Sequence, residues 1–481
     1  MKKIYLMYPQ ETGTIAPEIY GHFAEHIGGV IYDGIWVGKD SDIPNIKGFR
    51  KEIIDKLRAI KAPVIRWPGG CFAEVYDWRD GIGDERPERI NWWTVCDKKY
   101  EPNQVGTHEF MDFCEEVGAK AYFAANLTSV TPLHVRNWMD YCLSPKGSTT
   151  LANEREKNGH PEPFDIPYWG VGNENWGGGG NMNPDHYANE CRRFSRLMTN
   201  AFPDVELYAC GENAFDYEWT DGVMRNLRGA EKVTKGFTMH YYCGEAGDPV
   251  AFTQDEWTKQ LKQAADIEKI IKRNWNIISA YDMDSNIKLI IDEWGCWHKD
   301  GSGPSKGEKL FEQQSTMRDA MVSALSLNIF NNHCDKIRMA NVAQVVNCIH
   351  SLFLSAGDKC ITTPTYHIFD MYKEHQGAQS IVTTVTENDD FENSITVSAS
   401  VKNNKTLVTI GNLSCTEDVS FSLESVGEFL PEKAEATLLF ADDMHAHNTF
   451  EAPENVKPKV RTINLKEKIT IPKAGIMAIR F

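Results

Sequence analysis

Short apolar runs alternate with helical patterns over most of this chain, and the alternation constrains the fold more than any other feature. Eight such runs occur between residues 19 and 376, and segments with helical spacing separate them. Eight strands with intervening helices is the count of a (β/α)8 barrel, also called a TIM barrel. The candidate strands are residues 19–23, 64–66, 121–125, 168–171, 206–209, 236–239, 287–291 and 344–349.

The segments between these runs contain recognisable helix starts. Asn183 precedes Pro184, which pairs an N-cap residue with proline at the first helical position and predicts a helix to about residue 202. Thr363 and Pro364 open the last candidate in the same way. The other candidate helices are residues 50–60, 255–274 and 317–330.

The pattern changes after residue 376. Residues 395–401 alternate apolar and polar side chains with period two, as do parts of 406–413, 419–423 and 475–481. This alternation predicts an antiparallel, jelly-roll-like β-sandwich. All 13 tryptophans lie at or before Trp297, so the binding site is expected in the barrel. We therefore predict a barrel over residues 15–376 and an all-β sandwich domain formed by residues 1–14 and 377–481.

Composition excludes several classes of partner. The net charge of −17 disfavours nucleic acid and anionic membrane surfaces, and no apolar span approaches the ~18 residues of a transmembrane helix. The 12 cysteines are scattered without metal-ligand spacing, which predicts free thiols and a cytoplasmic location. The histidines, among them His22, His26 and His240, form no recognisable zinc motif. No metal and no cofactor are expected.

Two acids follow apolar runs directly. Glu174 follows the fourth candidate strand and Glu293 follows the seventh, and both stand beside tryptophans. The C-terminal strand ends of such a barrel form the active site. Two carboxylates there suit cleavage of a glycosidic bond, in which one protonates the leaving oxygen and the other attacks the anomeric carbon. The alternative is that both are rim acids satisfied by arginine or backbone N–H groups.

Several motifs resemble one family when they are taken in order. They are residues 21–28, 66–72, 76–83, 169–182 and 291–297. Together they are similar to glycoside hydrolase family 51, chiefly α-L-arabinofuranosidases. The resemblance covers the whole barrel, and the tail fits the sandwich domain of that family.

The resemblance implies a retaining double displacement, with Glu174 as acid/base and Glu293 as nucleophile. It assigns to Glu25 the binding of furanose hydroxyls, with a surface carboxylate as the alternative. Arg66 would hold the nucleophile ionised, a role compatible with a structural ion pair. Asn173 would bind the sugar's 2-hydroxyl.

Other positions carry over from the same resemblance. The hydroxyl of Tyr242 would lie near the nucleophile, and Gln344 would reach the sugar from the eighth strand. His240 would either support the acid/base or be a satisfied rim histidine. Trp297 would form an apolar wall, and Cys71 would line the pocket, since no adjacent histidine suggests a thiol nucleophile.

The expected activity is exo-acting α-L-arabinofuranosidase action on arabinoxylan or arabinan oligosaccharides. A β-xylosidase or endoglucanase on the same scaffold is one alternative, and a carbohydrate-binding protein without catalysis is another. Residues 91–105 are unlike the commoner family members, which leaves the linkage preference open. In that loop Trp92 or Trp93 is expected either at the pocket entrance or in the core. The resemblance further implies a homo-oligomer, commonly a hexamer.

Overall fold

The strands and helices of the protein are those of a computed structural model that describes residues 2–94, 100–227, 229, 233–244, 246–388 and 390–481. In chain order the strands are β1 (Lys2–Thr14), β2 (Gly21–Phe23), β3 (Asn45–Ile46), β4 (Phe49–Arg50), β5 (Val64–Trp67), β6 (Lys120–Ala125), β7 (Tyr168–Val171), β8 (Glu206–Asn213), β9 (Gly236–Gly244), β10 (Lys288–Trp297), β11 (Ile337–Ala343), β12 (Phe353–Ala356), β13 (Lys359–Thr362), β14 (Gln379–Val385), β15 (Ile395–Lys402), β16 (Lys405–Asn412), β17 (Val419–Val426), β18 (Lys433–Leu439), β19 (Lys459–Asn464), β20 (Ile469–Ile471) and β21 (Ile476–Arg480). The α-helices are α1 (Lys51–Ala59), α2 (Thr107–Val117), α3 (Pro132–Leu143), α4 (Thr150–Lys157), α5 (Pro184–Ala201), α6 (Tyr217–Asn226), α7 (Gln254–Ala265), α8 (Ile267–Tyr281), α9 (Met317–Asn332) and α10 (Pro364–Tyr372).

Eight of these strands form a closed barrel in the order β10-β11-β2-β5-β6-β7-β8-β9. Neighbours from β2 to β9 pair in parallel, for example with Arg66 opposite Tyr122. Parallel pairing requires a crossover between strands, and the helices provide it. The (β/α)8 barrel expected from the sequence is confirmed.

Two elements differ from the sequence prediction. The eighth barrel strand is β11 and not residues 344–349, because Arg338 and Asn341 interrupt its apolar pattern while the later run looks more strand-like. The helix predicted over residues 255–274 is two helices, α7 and α8, separated at Asp266. The predicted N-cap is present, since the Asn183 side chain accepts from His186 N at 2.8 Å.

Nine strands form a second sheet, in the order β19-β18-β21-β16-β15-β14-β1-β17-β20. The N-terminal strand β1 lies inside this sheet, antiparallel to β14 and parallel to β17. Buried residues from opposite ends of the strand order, such as Ala436 and Ile469, belong to one hydrophobic core. The sheet therefore curls around a single core, and the all-β portion expected of the fold class is confirmed.

Packing divides the chain into two compact units. One contains Met1–Tyr20, Tyr242–Lys269 and Trp294–Phe481, and the other contains Gly21–Tyr241 and Ile270–Glu293. We propose residues 15–376 and residues 1–14 with 377–481 as the domains, and the place of β1 among the C-terminal strands supports this division. Within the described residues no helix has the length and apolar character that crossing a bilayer requires.

Candidate active site

Four barrel strands bring charged side chains together within the unit that contains Gly21–Tyr241 and Ile270–Glu293. Arg66 lies in β5, Glu174 follows β7, His240 lies in β9, and Asp292 and Glu293 lie in β10. Each side chain is held by a different part of the rigid barrel, apart from the two neighbours in β10. Such an arrangement fixes charges at defined distances.

The two acids predicted to be catalytic lie side by side. One carboxylate oxygen of Glu174, one of Glu293 and one ring nitrogen of His240 all lie within 4.8 Å of one another. The side chain of Glu174 is 20% exposed and that of Glu293 is 8% exposed, so one carboxylate is open to solvent and the other is nearly enclosed. So close an approach suits a retaining glycosidase, whose carboxyl groups lie about 5–5.5 Å apart, better than an inverting one, whose carboxyl groups lie about 6.5–9.5 Å apart.

His240 lies among three carboxylates. Its Nδ1 is 2.8 Å from Glu174 Oε1 and 3.5 Å from Glu293 Oε2, and its Nε2 is 3.0 Å from Asp292 Oδ1. Burial alone would lower the pKa of His240, but the charges of Glu293 and Asp292 raise the pKa well above its ordinary value. The ring is therefore an imidazolium, whose Nδ1 donates to Glu174 Oε1 and whose Nε2 forms an ion pair with Asp292.

Arg66 orients the nucleophile candidate from the other side. Its Nη1 donates to Glu293 Oε1 at 2.7 Å, and its Nη2 donates to Asn173 Oδ1 at 2.6 Å. Its Nε lies 3.4 Å from Asp292 Oδ2, which also accepts from the Tyr122 hydroxyl at 3.1 Å. Because its guanidinium is buried, Arg66 holds Glu293 and Asn173 in one fixed geometry.

Burial acts against ionisation of the acids in this site. It raises the pKa of Glu293, against the opposing charges of His240 and Arg66. It also raises the pKa of Glu25 to about 7, and the charge of Glu293 adds to the rise. Glu25 Oε1 accepts from Phe72 N and from Trp93 Nε1, each at 3.1 Å. Glu25 thus exchanges a proton near neutral pH.

Two glycines leave room beside these acids. A Cβ at Gly70 would lie 2.8 Å from Glu293 Oε1 and 3.4 Å from Asn173 Nδ2, and one at Gly69 would lie 2.7 Å from Glu25 Cγ. No described residue accepts a hydrogen bond from the buried Asn173 Nδ2. The glycine pair therefore lets the backbone lie against Glu25 and Glu293 more closely than any residue with a side chain could.

Cys71 lies beside the acid/base candidate. Its thiol donates to Glu174 Oε2 at 3.6 Å. Burial, together with the charge of Glu174, raises the pKa of Cys71 far above that of a free thiol. Cys71 is accordingly a neutral donor next to Glu174, which fits a pocket wall and not a thiolate nucleophile.

Two groups of described side chains place potential metal ligands within 4.8 Å, and both have other bonding roles. In the first, formed by Glu174, His240 and Glu293, His240 Nδ1 hydrogen-bonds Glu174 Oε1 at 2.8 Å and Glu293 Oε1 accepts from Arg66. In the second, His298 Nε2 hydrogen-bonds Asp319 Oδ1 at 2.9 Å, and Cys296 Sγ accepts from Gln260 Nε2. We therefore assign no metal-binding role to either group.

Family models match both parts of the chain. The α-L-arabinofuranosidase 1 domain matches residues 56–262, and the α-L-arabinofuranosidase C-terminal domain matches residues 292–474. An intracellular exo-α-L-arabinofuranosidase of Bacteroides ovatus is 37% identical over 487 residues, which cover 97% of this chain and 92% of that protein. The chain belongs to glycoside hydrolase family 51. It is a glycoside hydrolase, and the retaining mechanism is characteristic of this family.

Solved structures of family 51 enzymes have the same fold. The arabinofuranosidase of Xanthomonas axonopodis pv. citri gives a TM-score of 0.93 at 34% identity, with 100% of both chains covered. The arabinose complex of the Thermotoga maritima α-L-arabinofuranosidase gives a TM-score of 0.85 at 27% identity, also with 100% of both chains covered. The likeness spans the barrel and the all-β portion of this family 51 enzyme.

Three more predicted site residues belong to the other packing unit. Tyr242 and Trp297 contact each other edge to face, with ring centroids 5.1 Å apart. Trp297 is 37% exposed, as suits a wall residue. Gln344 is buried and directly follows β11, so it lies at a C-terminal strand end even though its predicted strand was wrong.

The loop that departs from the commoner family pattern is only partly described, since residues 95–99 lie outside the described residues. In the remainder, Trp93 donates to Glu25, and its place is therefore at the site and not in the core. Trp92 is 39% exposed, and a Cβ at Gly178 would come within 3.3 Å of its ring. Both tryptophans thus lie next to predicted site elements.

Sequence reasoning missed three residues that shape this site. Asp292 pairs with His240 and Arg66, and its position beside Glu293 was a usable signal. Tyr122 supports Asp292 from β6. Glu74 is buried under the chain that carries Glu174, and nothing in the sequence indicates its partners, which lie 53 to 101 residues away.

Proposed function

We propose that this family 51 enzyme is an exo-acting, retaining α-L-arabinofuranosidase with Glu293 as nucleophile and Glu174 as acid/base. The observation that carries the proposal is the approach of the two carboxylates to within 4.8 Å, with the nearly enclosed one bound to Arg66. The more exposed Glu174 can meet a leaving group or water, and the fixed Glu293 can meet the anomeric carbon.

In the first step an oxygen of Glu293 attacks the anomeric carbon. The bond from that carbon to the leaving oxygen breaks, and the carboxyl proton of Glu174 passes to that oxygen. The products are the freed alcohol and an arabinosyl ester on Glu293. Arg66 stabilises the carboxylate before attack, and Asn173 donates to the 2-hydroxyl, a contact that strengthens in the transition state.

In the second step water attacks the anomeric carbon from the side that the leaving group vacated. Glu174, now a carboxylate, takes a proton from that water, and the ester bond to Glu293 breaks. Arabinose leaves with retained configuration, and both acids return to their starting protonation states. The imidazolium of His240, which touches both acids, compensates the negative charge that shifts between them.

We propose that Glu25, Asn173 and Cys71 bind the arabinofuranosyl unit. The buried Nδ2 donor of Asn173 supports this assignment. Terminal arabinofuranosyl residues of arabinan and arabinoxylan oligosaccharides are the proposed substrates. The exo-α-L-arabinofuranosidase name of the Bacteroides ovatus relative supports exo action.

We further propose a cytoplasmic location and a homo-oligomeric, hexameric assembly. The word intracellular in the name of the Bacteroides ovatus relative supports the location. Light scattering coupled to size exclusion measures the assembly directly. A mass near 54.5 kDa would contradict the oligomer.

The test of specificity is a panel of 4-nitrophenyl glycosides: α-L-arabinofuranoside, β-D-xylopyranoside and β-D-glucopyranoside. Rapid release from the arabinofuranoside alone is the expected result. Preferential release from the xyloside or glucoside would favour the β-xylosidase or endoglucanase alternative. No release from any of them would favour a carbohydrate-binding protein.

The test of mechanism separates the two acids. In Glu174→Ala, activity on an activated arylglycoside should persist at a reduced rate, and azide should restore turnover because it needs no general base. In Glu293→Ala, turnover should be abolished and azide should not produce the product of retained configuration. Normal turnover by Glu293→Ala would exclude it as the nucleophile.

A further inference from the structure

Glu74 lies beneath the turn that carries the acid/base candidate. It belongs to the 3-10 helix Cys71–Val75, and it is 1% exposed. Its Oε1 accepts from Asn173 N at 2.7 Å and from Asn175 Nδ2 at 3.0 Å. The carboxylate therefore spans Glu174, with one bond to the residue before it and one to the residue after it.

The other oxygen of Glu74 connects this turn to the neighbouring strand end. Oε2 accepts from Leu127 N and Thr128 N, each at 2.8 Å, just beyond the end of β6. All four donors are uncharged. A buried carboxylate is costly unless donors surround it, and here the donors come from two strand ends that it joins.

The turn that Glu74 supports has an unfavourable backbone conformation. Glu174 has φ of +44°, in the left-handed region that residues with a side chain seldom adopt. Its carbonyl accepts from Gly177 N at 2.8 Å and from Gly179 N at 3.0 Å. Asn175 Nδ2 also donates to Gly179 O at 2.7 Å. Such a conformation persists only where its surroundings hold it, and Glu74 binds both flanking residues.

We propose that Glu74 is a positioning residue for proton transfer, which holds the Asn173–Asn175 turn so that the Glu174 carboxyl points at the leaving oxygen. The proposal rests on the assignment of Glu174 as the acid/base. Arg66 binds Glu293 directly, whereas Glu74 is connected to Glu293 only through Asn173 and Arg66. Disturbing Glu74 should therefore affect protonation of the leaving group more than nucleophilic attack.

Glu74→Gln tests this, because the amide keeps the size of the side chain but presents donors to one pair of N–H groups. The substrates are 2,4-dinitrophenyl α-L-arabinofuranoside, whose leaving group needs no proton, and phenyl α-L-arabinofuranoside, whose leaving group does. We expect kcat/KM on the phenyl substrate to fall about 30-fold or more and on the dinitrophenyl substrate about 3-fold or less. Azide should raise kcat of the variant on the dinitrophenyl substrate.

A general loss of structure would lower both rates equally, and that result would overturn the proposal, as would unchanged rates. Glu212→Gln is the matched control, because Glu212 is also buried and bonded to uncharged side chains, those of Asn274 and Thr220. It should leave the ratio of the two rates unchanged.

Glu174→Ala measured alongside separates the two hypotheses. If Glu174→Ala does not lose more rate on the phenyl substrate than on the dinitrophenyl substrate, the acid/base assignment fails. If Glu174→Ala shows this difference and Glu74→Gln does not, only the positioning role of Glu74 fails. Should Glu74→Gln not fold, Glu74→Asp decides, because it keeps the charge but shortens the side chain, so that the carboxylate no longer reaches donors at both strand ends. This variant should again lose more kcat/KM on the phenyl substrate than on the dinitrophenyl substrate, but by a smaller factor. Equal losses on both substrates would overturn the proposal.

Discussion

The charge on His240 sets the conditions under which Glu293 can act. The nucleophile must be ionised, and the neighbouring imidazolium favours its ionised form while burial opposes it. In His240→Gln the pKa of Glu293 should therefore rise, and the acidic limb of the kcat/KM profile should move to higher pH by about one unit. Rates measured between pH 4 and 8 test the shift.

The matched control is His375→Gln. His375 is also fully buried, but burial lowers its pKa to about 3, so it is neutral in the folded protein. Its replacement should lower the melting temperature without moving the pH profile. An unshifted profile in His240→Gln would mean that this imidazolium does not control the nucleophile.

Gly70 tests the space beside the nucleophile. An added methyl group would lie 2.8 Å from Glu293 Oε1, so Gly70→Ala must displace the carboxylate or occupy the sugar's place. We expect kcat/KM on 4-nitrophenyl α-L-arabinofuranoside to fall about 100-fold. Gly177→Ala is the control, since the nearest atom to its Cβ is 3.9 Å away, and it should stay near the wild-type rate. Equal rates for the two variants would mean that the added methyl group does not disturb Glu293.

At the scale of elements, β1 joins two groups of C-terminal strands, and its apolar residues lie in their core. Leu6 is 0% exposed within that core. Leu6→Ala should lower the free energy of unfolding by about 2–5 kcal/mol, while kcat at 25 °C stays unchanged. Thermal unfolding monitored by circular dichroism measures the loss. Lys3→Ala, at an exposed position of the same strand, should change the free energy of unfolding little. Similar losses of stability in both variants would mean that Leu6 does not stabilise the protein by packing in the core.

The sequence predicts most barrel strands because a strand buried on both faces is visibly apolar. The prediction fails at β11, where Arg338 and Asn341 break the run. The two acids were visible because each stands at the end of an apolar run and beside a tryptophan. Glu74 was not, because a carboxylate that bonds backbone N–H groups on distant strand ends has no local sequence signature.

At the scale of the whole molecule, one buried acid makes stability depend on pH. Burial raises the pKa of Glu212 from 4.5 to about 8 in the folded state, so folding favours the protonated acid. Its contribution to stability is complete below about pH 4.5 and is lost as the pH rises through about 8. Glutamine mimics the protonated form, so Glu212→Gln should match the wild type at pH 5 and exceed it by about 2–4 kcal/mol at pH 9.

Melting temperatures measured from pH 5 to pH 9 provide the comparison. Glu308 is exposed, and Glu308→Gln serves as the control. Its melting temperature should depend on pH in the same way as that of the wild type. If the melting temperature of Glu212→Gln also follows that of the wild type from pH 5 to pH 9, the folded protein accepts the ionised Glu212 carboxylate without loss of stability.

The place of β1 also has a consequence for how the chain is made. Its partners β14 and β17 are Gln379–Val385 and Val419–Val426, so β1 leaves the ribosome long before the strands with which it pairs. Several hundred further residues must be synthesised before β1 can pair with these strands. During that time its backbone and apolar side chains are exposed, and it can pair with β1 of another nascent chain. Slow or crowded synthesis should therefore favour aggregation through β1.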